Sequence, residues 1–207
     1  MDGTITAPML DFPRIKREMG IGDRPILEAL AEMDAEARAA AEAVLLRHEE
    51  WAAAESSLNV GCRELFDALS RWRIRTALIT RNSRLSVTTV LARHALTVAV
   101  LVTRDDAAPK PHPEPLRLAC RKLGVREMDA WMIGDGQYDV EAGLAAGIRT
   151  VWISHGREKP FKATPWRTVR DLCELPELLA ACDMQFPSDA GDARRHPSTT
   201  PRLAVRV

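Results

Sequence analysis

The fold is decided by residues 131–139, which read Trp-Met-Ile-Gly-Asp-Gly-Gln-Tyr-Asp. The first four residues form a short apolar run, which predicts a buried β-strand. Two carboxylates follow directly, at Asp135 and Asp139, and the segment 140–146 then has the pattern of a helix. A buried strand, a polar turn and a helix form the repeating unit of a parallel α/β sheet.

Further apolar runs on both sides of this stretch alternate with amphipathic segments. They predict strands at 75–80, 98–103, 150–153 and 168–169, and helices at 63–72, 85–94, 113–123 and 175–182. This alternation predicts a Rossmann-like parallel sheet with helices on both faces, a three-layer α/β/α arrangement. Ligands bind at the carboxyl ends of the strands in such folds.

The amino-terminal quarter has a different composition, rich in Ala, Leu, Glu and Arg, which favours helices. The longest helix is predicted at 35–54, with Ala39, Ala43, Leu46 and Trp51 on its inner face. We therefore predict two or three helices between about residues 11 and 57. Residues 183–207 contain three prolines among polar residues and are predicted to be a disordered tail.

Composition limits the function to a few classes. The 29 basic and 29 acidic side chains cancel, which argues against nucleic acid or an anionic membrane as the main partner. No apolar stretch reaches the roughly 18 residues of a membrane span, and the first residues do not form a signal peptide. The four cysteines lack the spacing of a disulfide framework or a zinc site. These features predict a cytoplasmic protein that acts on small molecules.

Polar residues follow the predicted strands at four places. Asp2-Gly3-Thr4 opens the chain, Thr80-Arg81-Asn82 and Lys110-Pro111 follow the next two strands, and Asp135 and Asp139 follow the third. Each motif alone could be a turn, a helix cap or a solvated loop. Together they bring carboxylates, an ammonium and a hydroxyl to one crevice, which suits Mg²⁺ and a phosphoryl group.

This combination resembles the haloacid dehalogenase-like superfamily of phosphohydrolases, in particular the phosphoglycolate phosphatase branch. The resemblance covers residues 2–153, and Ala142-Gly143 fits the usual continuation of the fourth motif. It implies a Rossmann-like core made of residues 1–9 and 59–182, with a small helical cap inserted after the first motif at about residues 10–58. The insertion is short for such a cap, so the resemblance does not imply phosphoglycolate itself as the substrate.

The resemblance also implies roles for the matching residues. Asp2 would be the general acid/base and would lend its backbone carbonyl to Mg²⁺. Thr80 and the Arg81 amide would hold phosphoryl oxygens, with Asn82 nearby. Lys110 would neutralise the nucleophile and the phosphoryl group. Asp135 would bind Mg²⁺ directly, and Asp139 would bind the ion or its waters.

The sequence departs from the family pattern at its first residue. The family's nucleophile is the first Asp of Asp-x-Asp-Gly-Thr, and Met1 occupies the x position. We therefore expect that the natural protein begins upstream, with an apolar strand ending in Asp, and that Met1 is an internal methionine. Without that strand, the strands ending at Thr80 and Gly134 are expected to face a gap in the sheet.

Three functions are consistent with these motifs. The first is a Mg²⁺-dependent phosphatase, a phosphoric monoester hydrolase that acts on small phosphorylated metabolites through an aspartyl-phosphate. The others are a sugar-phosphate mutase of the same fold and a non-catalytic module that binds a phosphorylated ligand. A metal-independent dehalogenase is disfavoured by the acidic motif at 134–139. His94, His112 and His155 are predicted to be solvated, and the sequence leaves the oligomeric state open.

Overall fold

A six-stranded parallel sheet forms the centre of the molecule. The structure is a computed structural model that describes residues 1–182 and the backbone of 204–206. The strands lie in the order β2-β1-β6-β3-β4-β5, and every neighbouring pair is parallel. Their bounds are β1 (Arg75–Ile79), β2 (Val100–Val102), β3 (Ala130–Gly134), β4 (Arg149–Ile153), β5 (Arg167–Val169) and β6 (Ala204–Arg206).

Helices follow most of these strands and form the outer layers. Their bounds are α1 (Phe12–Glu18), α2 (Ile26–Ala31), α3 (Ala35–Ala54), α4 (Cys62–Arg71), α5 (Arg84–Arg93), α6 (Glu114–Leu123), α7 (Gln137–Ala146) and α8 (Leu175–Ala181). The predicted α/β class with a parallel sheet is confirmed, and the predicted elements differ from the observed ones by a few residues at their ends.

The alternation of side chains along the strands creates two cores. On β3, Trp131 and Ile133 pack on one face with α4, α5 and α8, while Met132 packs on the opposite face with α6 and α7. On β1, Leu78 and Ile79 divide between the two faces in the same way. Because both faces are covered, the buried residues of β1, β3 and β4 are mostly apolar on both sides, which explains why these strands contain continuous apolar runs.

Helices α1, α2 and α3 pack around a separate apolar cluster. This cluster, which we call the cap cluster, includes Ile15, Ile26, Leu30 and Leu45. Asp34 caps the start of α3 by accepting a hydrogen bond from the Ala37 amide at 2.9 Å. We call helices α1, α2 and α3 the cap, and the cap domain at residues 10–58 stays a prediction.

The predicted inner face of α3 is wrong. The buried residues of this helix are Ala41, Leu45, Glu49, Ala52 and Ala53, while Ala39 and Ala43 are exposed and the Trp51 residue is 55% exposed. Helix α3 packs against α5 as well as against α1 and α2. Its buried face therefore includes Glu49, which a pattern of apolar residues alone does not reveal.

The predicted gap in the centre of the sheet is also wrong. Strand β6 lies between β1 and β3, with Val205 in register with Thr76 on one side and with Trp131 on the other. The predicted disordered tail mostly lies outside the described residues, and it is wrong for Ala204–Arg206. Two flanking strands supply hydrogen-bond partners for this backbone, and a β-branched valine suits a strand.

Among the described residues, no helix is both long enough and apolar enough to cross a membrane.

Candidate active site

Lys110 lies at the centre of the crevice at the carboxyl ends of β1 and β3. Its residue is only 5% exposed, and its Nζ donates to the Ile79 carbonyl at 2.8 Å and to Asp139 Oδ1 at 2.6 Å. Burial alone would raise the pKa of Asp139, but the Lys110 ammonium and the Gly136 amide overcome this effect and lower the pKa. The pair therefore places a charged ammonium in a nearly dry pocket.

Thr80 follows β1 directly and is buried. Its Oγ1 accepts a hydrogen bond from the Asn82 amide at 3.1 Å, which folds the chain into a tight turn. A hydroxyl has one donor and two acceptor lone pairs, so this bond leaves the Thr80 O–H able to donate to an anion. We call residues 80–83 the phosphoryl loop.

Asp135 connects the first motif to the fourth. Its Oδ1 accepts a hydrogen bond from Thr4 Oγ1 at 2.8 Å, and its Oδ2 lies 3.7 Å from an Arg157 guanidinium nitrogen. Gly3 packs so closely that a Cβ there would collide with the Asp135 carboxylate, and its φ of +83° also favours glycine. The turn at Gly3 therefore brings the first motif to the end of β3.

Asp2 is held at the entrance to the cap. Its Oδ1 accepts a hydrogen bond from the Met9 amide at 3.3 Å. Burial raises the pKa of Asp2, although hydrogen bonds from the backbone amides of Met9 and Leu10 oppose the effect. A carboxyl group with a raised pKa can give and take a proton near neutral pH more readily than an ordinary aspartate.

The oxygen atoms at this site are of the type that Mg²⁺ prefers. Among the described residues, no group of three or more His, Cys, Asp or Glu side chains has the geometry of a metal site. Asp139 is engaged by Lys110, whereas Asp135 forms its close contact with the neutral Thr4 hydroxyl. The Asp135 carboxylate is therefore the side chain here that is not already paired with a close ammonium and could contribute to holding a divalent cation.

The sequence analysis assigned a role only to the backbone amide of Arg81, but the side chain of Arg81 also makes contacts in the structure. Its guanidinium donates to the Lys110 carbonyl and forms a two-pronged pair with Glu28 on α2. The sequence analysis did not find Glu28, because nothing in a half-buried glutamate of a short helix indicates which distant residue it contacts. This pair joins the cap to the phosphoryl loop.

Two further residues, to which the sequence analysis gave no role in the site, hold the first motif in place. Asn59 Nδ2 donates to the carbonyls of Gly3, Thr4 and Thr6 at 2.8–3.0 Å. His155 Nε2 lies 2.7 Å from the Gly3 carbonyl. Asn59 lies directly after the predicted helical insertion, and that position was the signal in the sequence that could have pointed to its role.

The predicted solvation of the histidines holds only in part. His112 is exposed, and its Nδ1 accepts from the Glu114 amide. His94 and His155 are half-buried, and His94 Nε2 lies 2.9 Å from Ser56 Oγ at the end of the cap. Burial lowers the pKa of His94.

These observations define an α/β protein with a separate cluster of three helices and with a buried lysine and several carboxylates near the carboxyl ends of the strands. The chain belongs to the haloacid dehalogenase-like hydrolase family, since the model of that family matches residues 10–153.

Its relatives include phosphatases. It is 40% identical over 86 residues to pyrophosphatase PpaX of Bacillus pumilus, covering 40% of each chain. It is 35% identical over 127 residues to the plasmid phosphoglycolate phosphatase of Cupriavidus necator, covering 58% of this chain and 55% of the relative. The chain thus matches about half, or less, of the length of these curated relatives.

Solved structures agree on the fold. The crystal structure of a hydrolase from Pseudomonas syringae matches with a TM-score of 0.74 and 19% identity, covering 87% of this chain and 95% of that one. At this level of identity, the match supports the fold alone.

Proposed function

We propose that the protein is a Mg²⁺-dependent phosphatase that hydrolyses a small phosphorylated metabolite. The observation that carries this proposal is Lys110, an ammonium that is 5% exposed and fixed between the Ile79 carbonyl and Asp139. A positive charge in a nearly dry cleft attracts the charge that develops on a phosphoryl group during transfer.

The phosphoryl loop supplies neutral donors beside this charge. The Thr80 hydroxyl and the Arg81 amide would donate to phosphoryl oxygens, with Asn82 completing the turn. Because the Asn82 amide bonds to Thr80 Oγ1, the loop is already shaped before an anion arrives. Preorganised donors stabilise a transition state more effectively than mobile ones.

The carboxylates would divide the remaining work. Asp2, whose pKa is raised by burial, would transfer a proton to the leaving oxygen and later take one from water. Asp135 and the Asp2 carbonyl would hold Mg²⁺, which supplies charge neutralisation between the acidic groups and the phosphoryl oxygens. A route through an aspartyl-phosphate also needs a carboxylate nucleophile, and the family motif places it directly before the position of Met1.

The relatives support a small substrate. One is a pyrophosphatase and another is a phosphoglycolate phosphatase by name. Phosphoglycolate itself is not assumed for this chain.

The test is phosphate release from a panel of phosphate monoesters and pyrophosphate, with Mg²⁺ or with EDTA. Two forms are compared: the chain of 207 residues, and the same chain preceded by an apolar strand that ends in Asp, which would have to replace β6 between β1 and β3. We expect the extended form to release phosphate only with Mg²⁺, and Asp135→Asn to remove that release. Lys122→Met, an exposed lysine on α6, is the control and should retain it.

Other outcomes would select another function. Accumulation of an isomer from a hexose 1-phosphate would indicate a mutase. Binding of inorganic phosphate with Mg²⁺ in both forms, without any release, would indicate a binding module. Absence of both binding and release in both forms would refute the proposal.

A further inference from the structure

Glu28 connects the cap directly to the phosphoryl loop. Its carboxylate accepts hydrogen bonds from Arg81 Nη2 at 2.8 and 3.1 Å and from Arg81 Nη1 at 3.1 Å. The Arg81 side chain is 19% exposed and that of Glu28 is 42% exposed. Two-pronged arginine–carboxylate pairs fix direction as well as distance, because the planar groups must face each other.

The Arg81 guanidinium also contacts two other parts of the site. It lies 4.5 Å from the centre of the Tyr138 ring in the first turn of α7, and it donates to the Lys110 backbone carbonyl. Tyr138 stands next to Asp139, the partner of Lys110. The Arg81 side chain therefore contacts Glu28 of the cap, the backbone of Lys110, and helix α7, which carries Asp139.

A second ion pair between cap and core has a different character. Glu49 near the end of α3 is 3% exposed, pairs with Arg104 and accepts from the Ser83 amide at 3.1 Å. A buried pair of this kind is costly to break, since it would leave a charge without a partner away from water. The Glu49 contact therefore anchors one end of the cap, while the Glu28 contact at the other end remains accessible to water and separable.

We propose that Glu28 is a positioning residue that fastens the cap to the phosphoryl loop through Arg81, so that closure of the cap and the shape of the anion site are linked. This inference rests on the proposed function, because it assigns a purpose to the anion site. When the pair is intact, Arg81 is held against Tyr138 and the Lys110 carbonyl. When it separates, the loop loses a restraint next to Thr80.

Hydrogen exchange of backbone amides tests the link without any turnover. Glu28→Gln keeps the shape of the side chain and removes its charge. We expect exchange to become about three- to ten-fold faster both in α2 and at residues 80–83, the range for losing a partly exposed, two-pronged pair.

Glu32→Gln is the matched control. Glu32 follows α2 and pairs with Arg24 at 3.2 Å within the cap, where both side chains are mostly exposed. This variant should leave exchange at residues 80–83 unchanged. Faster exchange in α2 alone, or in neither region, for Glu28→Gln would overturn the link.

Affinity for inorganic phosphate with Mg²⁺, measured by calorimetry, separates positioning from simple charge. If Glu28 acted only as a nearby negative charge, Glu28→Gln would bind phosphate more tightly. A positioning role instead predicts weaker binding, with Glu28→Asp, which keeps the charge, between Glu28→Gln and the unchanged protein. Tighter binding in Glu28→Gln would refute the role.

The two measurements also keep the proposals apart. If the unchanged protein fails to bind phosphate, the proposed function fails on that result. The exchange experiment still decides whether Glu28 and Arg81 link the cap to the loop.

Discussion

Lys110 has an ammonium group that is almost completely removed from water. Its stabilising partners are a backbone carbonyl and one carboxylate, that of Asp139, whose side chain is only 13% exposed. Removing two charges from water costs several kcal/mol per ion, and their attraction only partly restores this. Such a pair adds little to the free energy of unfolding. A function in binding anions would explain why a buried ammonium is present at this place.

The residue-scale prediction concerns Lys110→Met. We expect it to lower the free energy of unfolding by about 3–5 kcal/mol, because Asp139 is left buried without its counter-charge. Binding of inorganic phosphate with Mg²⁺ should be lost as well. Chemical denaturation and calorimetry measure the two effects, and Lys122→Met on the surface of α6 should change neither.

A double variant separates these two effects. Lys110→Met combined with Asp139→Asn removes both charges, so most of the lost stability should return while phosphate binding stays absent. If the double variant were as unstable as Lys110→Met, the loss would come from packing and not from an unpaired charge. If either variant bound phosphate normally, Lys110 would not be the anion-binding group.

At the scale of elements, Glu18 holds the cap helices together. It stands at the end of α1 and contacts Arg14 at 2.8 Å, Arg47 at 2.7 Å and His48 at 2.9 Å. Arg47 and His48 both belong to α3, so one carboxylate joins the two helices. Hydrogen bonds from His48 and then from Arg14 lower the pKa of Glu18 to about 2.

This pKa gives the element-scale prediction. The carboxylate of Glu18 ionises with a pKa of about 2 in the folded cap and about 4.5 in an unfolded chain. Its contribution is therefore fully present above about pH 4.5 and disappears as the pH falls through about 2. Glu18→Gln should be less stable than the unchanged protein near neutral pH, and the difference should shrink progressively across that acidic range.

Denaturation at several pH values checks this expectation. Glu50→Gln, at an exposed position on α3, serves as the control and should show no comparable trend. A stability difference for Glu18→Gln that stays constant from neutral pH down to about pH 2 would show that the carboxylate acts through packing alone.

The same elements show what the sequence could predict. Strands buried on both faces appear as apolar runs, so the positions of Thr80 and Asp135 at the ends of β1 and β3 could be predicted from the residues. Lys110 lies further along the loop after β2, and the family motif was the signal for it. Glu28, the partner of Arg81, could not be predicted, because contacts between side chains of distant elements leave no periodic signal in the sequence. The predicted face of α3 was wrong for a related reason, since the burial of Glu49 depends on two distant partners, Arg104 and the Ser83 amide.

At the scale of the whole molecule, the position of β6 was the largest difference from expectation. A segment after several prolines and polar residues carries a weak local signal, and a three-residue strand is stable only where neighbours pair with it. Both neighbours are supplied by the tertiary structure, with Ala204 in register with Arg75 and Ala130. Long-range pairing of this kind follows from topology and not from propensity.

The whole-molecule prediction tests whether β6 supports the sheet. Val205→Pro removes a backbone N–H from a strand paired on both sides, so a partner carbonyl in the ladder loses its donor. We expect a loss of about 1–3 kcal/mol in the free energy of unfolding, measured by chemical denaturation. Val205→Thr keeps both the N–H and a β-branched side chain and should retain more of the stability. If Val205→Pro were as stable as the unchanged protein, the centre of the sheet would not depend on β6. A loss of stability in the proline variant alone would show that β6 closes the gap between β1 and β3.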